Sequence, residues 1–310
     1  MPGTITVEQR GRALVATLAN PPHGLMDRAM VEALAGVVAR AEEDQEVGGV
    51  VLTGAHPERF VAHYDVAELL AGAEASPAVS PAALKASLRA VGGLRRVPGG
   101  EEALAHTPAA GLAAVERFHE VFLRMNRCGA VFVAALNGSA MGGGSELALA
   151  CDVRLMARGD HGIGQPEILL AFPPGGGGTQ RLARLLGPAK ALRIMLDGGP
   201  LTPEQAAELG LVDSVVEPGE LVDQAVAEAG RLGSRSKVAI AACKRAVYDG
   251  GSMTLAAGLR LERAEFLSAL VGAEAREAMR AYVEAIERTG ELPLYDHDSL
   301  GAALDRGRFA

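Results

Sequence analysis

Two glutamates stand close to glycine runs in this chain, and that spacing invites acid–base chemistry on an anionic ligand. Residues 138–152 read GSAMGGGSELALACD, with Gly142, Gly143 and Gly144 in a row and Glu146 two positions later. Glycine admits positive φ and lets another group approach the bare backbone. A helix that opens there aims its unpaired N–H groups and positive dipole end at one spot. Strand, glycine turn and helix together make a place for a negative oxygen. Glu146 falls in the first turn of that helix, beside whatever the N–H groups hold. Such a run also marks tight packing of strand on helix, and a first-turn glutamate also serves the dipole alone.

The second stretch is GIGQPEILLAFPPGGGGTQRLARLLG, residues 162–187. Gly162 and Gly164 begin like a phosphate loop, but Glu167 occupies the place of a third glycine. Glycines 175–178 lead into a helix at Thr179, and the missing Lys-Ser/Thr pair argues against a triphosphate. Glu167 follows a proline and precedes Ile168-Leu169-Leu170. A carboxyl beside an apolar run loses water, which raises its pKa and fits it to act as an acid.

These groups need elements to position them. TITVEQRGRALVATL reads as two strands around Gly11. Apolar residues from Met30 to Ala41 recur at helical spacing behind Asp27, a suitable N-cap. GGVVLTG, AVFVAAL, DVRLMA and LVDSVV read as buried strands, and Val115, Phe118, Phe122 and Met125 mark another helix. Asp65-x-x-Glu68 and Thr202-x-x-Gln205 have the form of capping boxes. Residues 71–111 are rich in Ala, Pro and Gly, with prolines at 77, 81, 98 and 108, and read as a long excursion with weak helices. After Pro218 the pattern is helical, and the last stretch from Gly290 reads as an extended tail. Strands alternating with helices define an α/β core. No G-x-G-x-x-G follows a strand, which argues against a dinucleotide fold.

Composition narrows the partners. The 310 residues carry a net charge of −8 and no basic block longer than Arg95-Arg96, so a nucleic-acid partner is not expected. No apolar run approaches the roughly 18 residues that span a bilayer. Three scattered cysteines with no metal spacing, and an N-terminus without a leader pattern, predict a reduced, cytoplasmic setting and no bound metal.

In order along the chain, RFVAHYDVAELL (59–70), NGSAMGGGSELALACDVRLMA, GQPEILLAFPPGGGGTQRLARLLG, LTPEQAAELGLVDSVV and LRLERAEFLSAL resemble the segments of the crotonase superfamily, the enoyl-CoA hydratases and isomerases. The resemblance runs to about residue 285, except across 71–111. It implies an α/β spiral of ββα repeats over 1–200 that carries the active site. It also implies a helical region over 201–310, by which such chains pack as trimers or dimers of trimers. It implies an acyl-CoA substrate with no separate cofactor, coenzyme A being part of the substrate. The shared chemistry is stabilisation of a thioester enolate by two backbone N–H groups, which map to Tyr64 and Gly143. The two glutamates of the hydratases map to Glu146 and Glu167. Glu146, beside a positive helix end, is then expected to stay a carboxylate and activate water, and Glu167 to deliver a proton. His63, Asp65, Gly142, Pro174 and Gly175 are expected to line the substrate. Phe266 aligns with an aromatic that touches coenzyme A in some relatives, often across a subunit interface, and reads equally well as a helix core residue.

The sequence departs from the family at His63-Tyr64, where small residues are usual, and in the length of the 71–111 excursion. Hydration of a 2-enoyl-CoA is the expected reaction. Double-bond isomerisation, thioester hydrolysis or C–C cleavage on the same N–H pair, and a degenerate binding homologue are the alternatives.

Overall fold

Asp27 illustrates how local chemistry sets the frame. Its carboxylate accepts from Met30 N at 2.8 Å, from Gly3 N at 2.8 Å and from Asn20 Nδ2 at 3.0 Å. One buried side chain thus caps a helix and ties it to the N-terminal hairpin. The computed structural model describes residues 1–107 and 109–309; Pro108, one of the prolines of the excursion, and Ala310 lie outside them. The hairpin is β1 (Thr4–Arg10) and β2 (Ala13–Ala19), and α1 (Arg28–Glu43) follows.

The chain then winds in coils. The first is β3 (Gly49–Gly54), β4 (Arg59–Val61) and α2 (Val66–Glu74). The excursion follows as α3 (Pro81–Leu94) and α4 (Gly100–Ala105), and α5 (Ala110–Met125) returns to the core. The second coil is β5 (Val131–Leu136), β6 (Ser139–Met141) and α6 (Gly143–Ala150). The third is β7 (Val153–Ala157), β8 (Ile163–Gly164), a 3-10 turn over Glu167–Leu170 and α7 (Gly178–Leu186). Each coil gives one strand to a sheet ordered β1-β2-β3-β5-β7-β9 and one to a small sheet ordered β4-β6-β8. The strand pairs of both sheets after the hairpin are parallel. The α/β spiral of ββα repeats is therefore present.

Next come α8 (Pro188–Asp197), α9 (Pro203–Glu208) and β9 (Ser214–Val216). The helical C-terminal region is α10 (Leu221–Gly233), α11 (Lys237–Tyr248), α12 (Leu255–Leu270), α13 (Ala273–Thr289) and α14 (His297–Arg306). From β2 onward the large sheet is largely buried on both faces, as parallel sheets are, while β1 is an exposed edge strand. Leu14, Leu52, Phe132 and Leu136 face the main core, which also holds residues of α1, α5 and α6. The alternate residues Val15, Val51 and Val133 face Ala225 and Ala229 of α10. That two-residue alternation is why these strands read as continuous apolar runs.

Some local expectations change and others gain detail. The C-terminal stretch is not an extended tail: Asp296 accepts from Ser299 N at 2.9 Å and starts α14. Arg235 Nη1 donates to Leu304 O at 2.8 Å, and Phe309 packs edge-on to Tyr282, so tertiary contacts hold this helix. In the excursion, Ser80 caps α3, with Pro81 in its first turn. Val91, Leu104 and Ala113 form a satellite core there, which gives short helices enough burial to persist. Helix α6 begins within the glycine run, at Gly143. The Thr202–Gln205 box closes in both directions, but the one at Asp65 does not. Asp65 Oδ1 accepts from Ala67 N at 2.8 Å, while Glu68 turns to Tyr64 Oη and Arg28 N.

Candidate active site

Three successive coils converge on one spot. The first supplies the loop His63–Asp65 between β4 and α2. Met26 N donates to His63 O at 2.8 Å and Asp65 N donates to Met26 O at 2.7 Å. These bonds bracket Tyr64 and turn its own N–H away from Met26, and that N–H has no acceptor among the described residues. The second coil supplies Gly142 and Gly143. Gly142 has φ 49° and ψ −119°, a backbone state that favours glycine. It turns β6 sharply into α6, and as the first residue of that helix Gly143 has an N–H with no intrahelical acceptor. A Cβ on Gly143 would stand 3.2 Å from Tyr64 N, so the two glycine-turn and loop amides lie against each other.

Glu146 is 3% exposed, one turn into α6. Its Oε1 accepts from Gly176 N at 2.7 Å and from Gly178 N at 2.8 Å. The second glycine run therefore serves the carboxylate. Burial pushes the Glu146 carboxyl up, and these two amides pull it back toward the charged form. Oε2 takes no hydrogen bond among the described residues and borders Gly176, where a Cβ would lie 2.3 Å from it. Arg181 braces the same loop, with Nη1 donating to Gly176 O at 3.3 Å and Nη2 to Asn126 Oδ1 at 3.1 Å.

Glu167 opens the 3-10 turn of the third coil and is 8% exposed. Burial, with a smaller contribution from the charge of Glu146, pushes its carboxyl up to about 7. A Cβ on Gly142 would lie 2.9 Å from Glu167 Oε1 and 3.6 Å from His63 Cβ. Glu167 thus sits over the glycine turn, next to the His63 backbone. The buried Gln165 side chain, in the orientation that satisfies both neighbours, accepts from Ser145 Oγ at 3.1 Å. It also donates to the two Glu167 oxygens at 3.1 and 3.2 Å.

Glu146, Glu167, Gly142, Gly143, Tyr64 and His63 are brought together. His63 Nδ1 meets Tyr64 O at 2.7 Å, and because a carbonyl only accepts, that nitrogen carries the proton. The Asp65 carboxylate is used as a helix cap. Pro174 is buried in the loop before the glycines, and Gly175 is exposed beside His119, whose ring burial pushes toward its neutral form. Phe266 stands apart on α12, 58% exposed, on the rim of a groove of about 900 Å³ with Cys243, Val247 and Leu270. None of the residues gathered around the two glutamates lines that groove.

Sequence reasoning missed Phe118, Gln165 and Arg181. Phe118 was legible only as one apolar position of an amphipathic helix, yet its Cε1 would lie 2.5 Å from a Cβ on Gly176. Gln165 and Arg181 both lie in the second stretch, but only their hydrogen bonds in the fold give them away. Among the described residues no helix is long and apolar enough to cross a membrane.

The coiled sheets and the convergence of two glutamates on a glycine turn define a class, the crotonase-type α/β spiral. The family profile described as enoyl-CoA hydratase/isomerase matches residues 101–289. A probable mitochondrial enoyl-CoA hydratase of Dictyostelium discoideum is 32% identical over 283 residues, covering 91% of this chain and 88% of that protein. A short-chain-enoyl-CoA hydratase of Clostridium acetobutylicum is 29% identical, covering 90% of this chain and 94% of that one. The crystal structure of an enoyl-CoA hydratase from Bacillus anthracis superposes with a TM-score of 0.71 at 26% identity, over 91% of this chain and 96% of that one. The chain belongs to the enoyl-CoA hydratase/isomerase family.

Proposed function

We propose that this chain adds water to 2-enoyl-CoA thioesters, giving 3-hydroxyacyl-CoA. The observation that carries the reading is the pairing of two buried carboxylates with two unpaired amides at one point. In this reading the thioester oxygen sits between Tyr64 N and Gly143 N. Glu146, held by Oε1, takes a proton from water through Oε2 as the water oxygen bonds to the β-carbon. The π electrons move onto the thioester oxygen, where two fixed dipoles meet the charge without reorganising. Each such donor contributes about 3–4 kcal/mol to lowering a barrier of this kind. Glu167, protonated up to about pH 7, gives its proton to the α-carbon as the enolate collapses. The difference in donors supports the division of roles: two backbone amides oppose the upward push of burial on Glu146, while Glu167 has none from the glycine loop.

No separate cofactor enters this scheme; coenzyme A is the carrier part of the substrate. The exposed apolar side chains of the C-terminal helices, among them Val247, Leu255, Phe266 and Leu267, support assembly as a homotrimer or a dimer of trimers. Three unpaired cysteines accord with a reducing, cytoplasmic setting.

The test is turnover of crotonyl-CoA. Hydration removes the absorbance of the conjugated enoyl thioester and yields the 3-hydroxy product. Isomerisation, the second reading, is favoured by a lone proton carrier of pKa about 7 such as Glu167. It would instead generate that absorbance from a 3-enoyl-CoA without consuming water. No turnover of either substrate would remove the proposal.

A further inference from the structure

Tyr64 supplies more than an amide. Its hydroxyl donates to Glu68 Oε2 at 2.9 Å, and that oxygen also accepts from Arg28 N at 3.2 Å. The ring is thereby latched to the N-termini of two helices. Its edge meets Phe118 at a centroid distance of 6.0 Å and an interplanar angle of 72°. Phe118 is buried, stacks on Phe122 at 4.5 Å, and borders the same face of Gly176 that Glu146 Oε2 borders. A line of aromatic edges therefore runs from the free amide of Tyr64 to the free oxygen of Glu146.

We propose that the Tyr64 ring, held by Glu68 and backed by Phe118, is the far wall of the acyl pocket and restricts this enzyme to short acyl chains. The inference rests on the acyl-thioester reading of the site and names the substrate class within it. With the thioester oxygen at Tyr64 N and Gly143 N, the β-carbon lies toward Glu146 Oε2. Carbons beyond it run into the Tyr64–Phe118 pair. A small residue at position 64 would leave that space open while keeping the backbone N–H. Swinging the ring out would break the bond that holds its hydroxyl to Glu68 and its edge contact with Phe118.

Binding of saturated acyl-CoAs reads pocket depth without any turnover. In an open pocket each buried methylene adds roughly fourfold in affinity. The wild type is expected to bind decanoyl-CoA no more tightly than butyryl-CoA by calorimetric titration. Tyr64→Ala is expected to raise the decanoyl preference over butyryl at least tenfold. Glu68→Ala, which frees the ring without removing it, is expected to raise it severalfold. A wild type that gains affinity steadily with chain length would overturn the proposal, and so would a Tyr64→Ala variant with an unchanged ratio. Should Tyr64→Ala lose its helical ellipticity, Glu68→Ala decides: an unchanged ratio there also overturns it. Binding of neither acyl-CoA by the wild type would end the acyl-thioester reading itself, and this inference with it.

Discussion

At the scale of residues, the site contrasts two carboxyls in unlike surroundings. Glu146→Gln keeps a carbonyl oxygen to accept from Gly176 N and Gly178 N, so the loop should stay in place while the proposed base is lost. Glu167→Gln removes the proposed proton donor and keeps the shape. Each substitution is expected to lower kcat for crotonyl-CoA by about 100- to 10,000-fold, with acyl-CoA binding nearly unchanged. Steady-state kinetics beside calorimetry separates the two effects. The raised pKa of Glu167 also has a sign for stability. The folded state binds this proton more tightly than the unfolded chain does. Its contribution is full below the unfolded value near ~4.3 and is lost as pH rises through about 7. Glu167→Gln should therefore be more stable than the wild type at pH 8, by about 1–3 kcal/mol, and similar to it at pH 4.5. Urea titrations at the two pH values measure this. Both glutamates were legible in the sequence because each adjoins glycines or an apolar run. Gln165 and Arg181 were not, because a polar residue shows its purpose only when burial removes water as its partner.

At the scale of elements, glycines decide how closely strand and helix can lie. A Cβ on Gly144 would stand 2.1 Å from Val61 O and 2.9 Å from Val61 Cβ, and neither β4 nor α6 can yield without moving its neighbours. Gly144→Ala is expected to destabilise the fold by about 3 kcal/mol, read as a shifted midpoint in chemical denaturation. The strands were legible as apolar runs, and the Thr202 cap as a motif with one satisfying geometry. Helix α14 was not, because Pro293 and the short apolar LPLY stretch hide the Asp296 cap that starts it. The box at Asp65 was half right: the cap formed, but Glu68 found a stronger claim in the Tyr64 hydroxyl. Helix α3 looked weak for its composition, yet Val91 finds a small core against α4 and α5 that no local pattern reveals.

At the scale of the whole molecule, Leu255 is 79% exposed, Leu267 57% and Val247 67%, more apolar surface than isolated helices leave in water without cause. The chain is expected to run as a trimer or a multiple of three in light scattering, and Leu267→Glu to shift it toward the monomer. The winding of the chain has a further consequence. Tyr64, Gly143 with Glu146, and Glu167 sit on three consecutive ββα coils, one contribution from each. On the proposed roles, a fragment shorter than all three is expected to lose turnover, and loosening any one coil to disable the rest. Catalysis is then expected to report cooperativity along the spiral in an all-or-none way. In a urea series, loss of turnover should coincide with loss of ellipticity rather than trail it, and a partly unwound yet active species would contradict this architecture.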